Sequence, residues 1–124
     1  MAKIVLGKRP KNFKCKVTFG LLDGTEGMVE MSFIYRTRTE FGALIDGLMD
    51  DAGVNKADGI SLEEAMTKTR DSNAEYILKV ADGWDLEQPL NMDTAAQLCD
   101  EIPAAAIAIM TAYRTAITEG RRGN

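Results

Sequence analysis

The chain has 124 residues and a formal net charge of −4, with 45% hydrophobic and 27% charged residues. At this length, area scaling buries about two-thirds of the extended chain's surface, enough for one core without disulfide or metal staples. The composition excludes collagen-like, low-complexity and wholly disordered chains.

No apolar run approaches the roughly 20 residues of a membrane span, and Met1-Ala2-Lys3-Ile4-Val5-Leu6 is too short for a signal peptide. Cys15 and Cys99 sit among apolar residues without C-x-x-C spacing, and read as buried thiols in a reducing compartment. Histidine is absent, which removes the commonest general base, metal ligand and pH switch. Charge is unevenly spread. Residues 1–16 hold six bases and no acid, whereas residues 40–101 hold fifteen acids against four bases, a net of −11. The early lysines alternate with apolar residues, as on the solvated face of a sheet, and the acidic centre repels phosphate. No nucleic-acid partner is expected.

In chain order, Phe13, Cys15, Val17 and Phe19 alternate with Lys14, Lys16 and Thr18, the pattern of a strand with one buried face. Val29, Met31, Phe33 and Tyr35 repeat it, and Asp23-Gly24 between them signals a turn. A two-residue turn would mix the faces. A three-residue loop pairs Phe19 with Val29 and Val17 with Met31, and either a three- or a five-residue loop keeps all apolar side chains together. Thr37-Arg38-Thr39-Glu40 is a capping box, opening a helix with Phe41, Leu44, Ile45, Leu48 and Met49 on one face and Gly53 at its end. That face is expected to pack on the strands. Ser61-Leu62-Glu63-Glu64 is a second capping box, with Ile60 stapling onto Ala65. Its helix carries Leu62, Ala65, Met66, Tyr76, Ile77 and Val80 to about Ala81, with Asp71-Ser72-Asn73 as a candidate interruption. A loop follows Gly83-Trp84 and ends in Pro89. Asn91 then caps a short helix with Ala95, Leu98, Cys99 and Ile102, and Pro103 opens the last one at its favoured first position.

The fold class is therefore α+β: an N-terminal antiparallel β-hairpin (about 11–36) followed by about four α-helices (about 38–119) in a single domain spanning 1–124. Residues 120–124 read as a flexible tail.

Catalytic patterns are not found. Aligning Gly59 with the glycine of a calcium loop puts Val54 and Lys56 where carboxylates are required. The glycines bracket a hairpin turn or follow a helix rather than cradle phosphate, and neither cysteine can have a histidine partner. Neither a metal nor a cofactor is expected, and the chain does not read as an enzyme.

The last helix is unusual in being apolar around nearly its whole circumference. Ile107, Met110, Arg114 and Ile117 form one stripe; Ile109, Tyr113 and Ala116 form the next. Such a helix either lies centrally in the core or keeps a second face for a partner or another copy of itself. The candidates for that partner face are Ile107, Met110, Tyr113, Arg114 and Ile117.

The lysine-rich first strand, Tyr35-Arg36-Thr37-Arg38-Thr39-Glu40-Phe41 and Gly83-Trp84-Asp85-Leu86 together resemble the small tail assembly chaperones of long-tailed bacteriophages. So do Ile102-Pro103, Ala112-Tyr113-Arg114-Thr115-Ala116 and Gly120-Arg121-Arg122-Gly123-Asn124, and the likeness covers about Phe13 to Asn124. The resemblance implies a non-catalytic protein of the host cytoplasm, absent from the mature virion. It implies binding to the tape measure protein, which stays soluble until the tail tube polymerises around it. It further implies self-association and, through a frameshifted longer form, contact with the tail tube protein. The competing class is a small acidic protein-binding module such as an immunity protein or antitoxin, which would use the acidic 40–101 region.

Overall fold

The computed structural model describes residues 3–52 and 61–121. Strict alternation around Cys15 and Val17 makes strand β1 (Asn12–Gly20), and the matching pattern around Val29 and Met31 makes β2 (Glu26–Ile34). They pair antiparallel without a register break, Phe13 opposite Phe33, Cys15 opposite Met31 and Val17 opposite Val29. Of the two loop lengths that keep the faces together, the five-residue one forms, so Phe19 faces Gly27 rather than Val29. The loop has its own reasons to close. The Leu21 N–H donates to the Thr25 carbonyl at 2.8 Å, and the Asp23 carboxylate accepts from the Thr25 N–H at 2.9 Å. Gly24 takes the left-handed φ of 88° that the turn requires.

A third strand, β3 (Ala81–Trp84), pairs antiparallel with β2 and gives the sheet order β1-β2-β3. It was expected as helix end and loop. Its four residues continue directly from a helix and include Asp82 and Gly83, so pairing with β2 rather than intrinsic propensity makes them a strand.

Both expected capping boxes form. The Glu40 N–H donates to Thr37 Oγ1 at 3.1 Å and the Thr37 N–H to Glu40 Oε1 at 2.9 Å, starting α1 (Arg38–Ala52). Ser61 and Glu64 exchange the same two bonds at the start of α2 (Leu62–Val80), which runs unbroken through Asp71-Ser72-Asn73. Asn91 caps α3 (Met92–Glu101) by accepting from the Thr94 N–H at 3.0 Å. Pro103 is the first residue of α4 (Pro103–Glu119), which ends on Gly120 with φ 70°. The expected cap at Gly53, the staple at Ile60, the Asp58-Gly59 loop and the tail residues Arg122-Gly123-Asn124 lie outside the described residues.

The core joins one sheet face to α2, α3 and α4. Met31, Phe33, Ile77, Val80, Ile109 and Tyr113 are all fully buried in it. The helix against β1 is α4, where an α1 face was expected. Ala105 and Ala106 of α4 are buried in the core as well. Among the described side chains of α1 only Phe41 is buried, its ring 5.7 Å from that of Tyr113, while Leu44, Ile45 and Leu48 are half-buried and Met49 is exposed.

Candidate functional site

Both cysteines are buried, and burial pushes the Cys99 thiol up to about 11, so at neutral pH it is protonated and a poor nucleophile. Burial likewise pushes Tyr76 up to about 12. Among the described residues, no three acids, cysteines or histidines are placed to hold a metal ion. What the surface offers is contact area and hydrogen-bonding groups.

The five candidate residues of α4 do not share a surface. Tyr113 is 0% exposed and Ile117 8%. The Tyr113 ring meets those of Phe33 at 5.2 Å and Phe13 at 6.5 Å. Tyr113 is a core residue that a partner cannot reach while α4 stays on the sheet, whereas Ile117, nearly buried, lines a separate pocket of about 500 Å³ with Phe13, Tyr35 and Arg36. Ile107, 59% exposed, stands on the outer crest of the helix with Arg114 one heptad on, while Met110 is half-buried on a flank. At 100° per residue, Ile109, Tyr113 and Ala116 form the inward stripe. The second apolar face therefore shrinks to Ile107 and its neighbours.

Those neighbours line a groove of about 1040 Å³ between α4 and β1. Its helix side is small and smooth: Ala104, Ala108, Thr111, Ala112 and Thr115, below Ile107. Its strand side holds Val17 and Phe19 together with Lys14, Lys16 and Thr18 of the opposite face, so the groove wraps around the rim of the sheet. From β2, Met28, 54% exposed, and Glu30 complete the lining.

Among the described residues that rim is an open strand edge, because β1 is terminal in the sheet order. The two ends of the hairpin ladder fix which groups point outward. The Tyr35 N–H bonds the Lys11 carbonyl at 3.1 Å and the Leu21 N–H bonds the Thr25 carbonyl at 2.8 Å, so odd-numbered β1 residues face β2. By alternation, the N–H and C=O groups of Lys14, Lys16 and Thr18 point away from it. The Lys16 carbonyl has the Cys15 thiol at 3.9 Å, a weak donor. The lysine alternation of β1 was legible in the sequence; that this strand would be the sheet's edge, beside a helix flank of alanines, was not.

Compared with known proteins, the chain matches over residues 1–124 a family model described as phage tail assembly chaperone. No curated protein and no solved structure matches it.

Proposed function

Because the chain belongs to the phage tail assembly chaperone family, we propose that it binds the tape measure protein and keeps it soluble until the tail tube polymerises around it. A long chain without its tube exposes apolar side chains and aggregates, and a chaperone for it needs apolar grip and net charge rather than a reactive group. The observation that carries this reading is the groove between α4 and β1. It combines an exposed isoleucine, a methionine and a row of alanines with two lysines on its rim. In this role the protein acts without catalysis, in the host cytoplasm, and does not remain in the virion. Self-association and recruitment of the tail tube protein by a longer, frameshifted form belong to the same proposal.

The test is co-expression of the tape measure protein of the same phage with and without this chain. Recovery of the tape measure protein in the soluble fraction only in the chain's presence, in a complex that survives gel filtration, is the expected result. A tape measure protein that stays in the pellet with the folded chain present refutes the proposal.

A further inference from the structure

We propose that the open edge of β1 takes up an extended segment of alternating apolar and acidic side chains, which adds to the sheet as a fourth strand. This rests on reading the groove as the client-binding surface, and it names how that surface recognises its client.

Three observations point to strand addition. The edge is long and regular, since β1 pairs with β2 over nine residues without a bulge, and no proline interrupts it. Exposed edges of this kind pair with any compatible chain unless something blocks them. Here the outward backbone groups of Lys14, Lys16 and Thr18 lie along a groove of about 1040 Å³. The groove is also two-sided. Successive side chains of an added strand point alternately to opposite faces. One set would meet Val17, Ala108 and Ala112 under α4, and the other would lie beside Lys14 and Lys16.

Charge selects the occupant. Across adjacent strands, opposite charges stabilise and like charges destabilise. Glu30 stands opposite Lys16 in the register, and Asp82 lies near enough to Lys14 to feel its charge. Neither lysine forms an ion pair among the described residues, so both are available to acids on a new strand. A second copy offering its own β1 sets lysine against lysine. Residues 3–11 of this chain fail for the same reason, since they carry Lys3, Lys8, Arg9 and Lys11 and no acid. The edge thus excludes its own basic strand and admits a foreign acidic one, in the manner of peptide domains that bind by β-augmentation.

Two soluble peptides of about ten residues, the length of a long strand, serve as probes. One alternates valine with glutamate and the other valine with lysine. The glutamate peptide should bind at least about tenfold more tightly in low salt. Its binding should slow hydrogen exchange at the amides of Lys14, Lys16 and Thr18 by about tenfold or more. Lys16→Pro removes one outward N–H without touching the ladder to β2, and should weaken binding by about tenfold or more. Should that variant fail to fold, the exchange pattern of the unaltered chain decides alone. Equal binding of both peptides, or protection that falls away from β1, overturns the proposal, as does a folded Lys16→Pro that binds like the wild type. If the unaltered chain solubilises the tape measure protein and folded Lys16→Pro does so equally well, the strand-addition mechanism fails while the chaperone function stands. If the peptide protects β1 but the tape measure protein stays insoluble, the edge site stands and the proposed function fails.

Discussion

The Tyr113 hydroxyl, in the middle of α4, donates a 2.8 Å hydrogen bond to the backbone carbonyl of Ile34 at the end of β2. It also accepts one at 3.1 Å from the Arg36 guanidinium, in the short link between the sheet and α1. A residue that could have offered itself to a partner instead fastens the last helix to the sheet, with Phe13, Phe33 and Phe41 around its ring. Tyr113→Phe keeps the ring packing but leaves the Ile34 carbonyl and the Arg36 donor without this partner. It should cost about 1–3 kcal/mol. Urea unfolding followed by circular dichroism measures this, and a loss below about 0.3 kcal/mol would mean that the hydroxyl adds nothing.

Two leucine-sized residues should separate the inner and outer layers of the fold. Ile109 is fully buried between α4 and the sheet, so Ile109→Ala should cost about 2–5 kcal/mol. Leu44 on α1 packs against the core but is half-buried, and Leu44→Ala should cost less than half as much. Equal losses in parallel urea titrations would place α1 in the core instead.

Stability should fall on the alkaline side. Burial raises the Cys99 thiol from 9.0 to about 11 in the folded protein, so between these values the unfolded chain loses its proton first. The stabilisation is whole below pH 9 and is lost as pH climbs through the folded value. Tyr76, raised by burial from 10.0 to about 12, extends the loss upward. Melting temperature should therefore decline from pH 9 to 11, and Cys99→Ala should flatten the first part of that decline. An unchanged slope in the variant would assign the decline to other groups.

Salt should distinguish grip by the groove from grip by the acidic middle of the chain. The groove's charged lining is Lys14, Lys16 and Glu30, a net of +1, against a net of −11 over residues 40–101. Raising salt from about 0.05 M to 0.5 M shortens the Debye length from about 14 Å to about 4 Å. Tape measure binding through the groove should weaken by less than about tenfold over that range. A loss of a hundredfold or more would favour an acidic surface and the toxin-neutralising class of module.

The sequence was most informative where the structure is local. The hairpin follows from period-two alternation, and the capping pairs Thr37–Glu40, Ser61–Glu64 and Asn91–Thr94 close within one turn of chain. The length of the hairpin loop escaped because registers differing by two residues bury the same faces. Strand β3 escaped because Asp82 and Gly83 become strand only through their contact with β2. Amphipathic spacing on α1 marks an apolar face without saying what covers it, and α4 rather than α1 took the place on β1. On α4 itself the pattern is apolar on nearly every side, so only packing could turn Tyr113 and Ile117 inward and leave Ile107 outside. The groove depends on all of these outcomes at once, and no single segment carries a signal for it.

On the proposed function, the client lies in the groove below Ile107. The most direct measurement is the affinity of purified Ile107→Glu for a soluble tape measure fragment, by titration calorimetry beside the wild type. Ile107 is 59% exposed, so a charge there should leave the far-ultraviolet spectrum and melting temperature nearly unchanged. The variant should stay folded while its affinity falls by about tenfold or more, a loss of about 1.4 kcal/mol or more. A folded Ile107→Glu that binds the fragment as tightly as the wild type would contradict this placement.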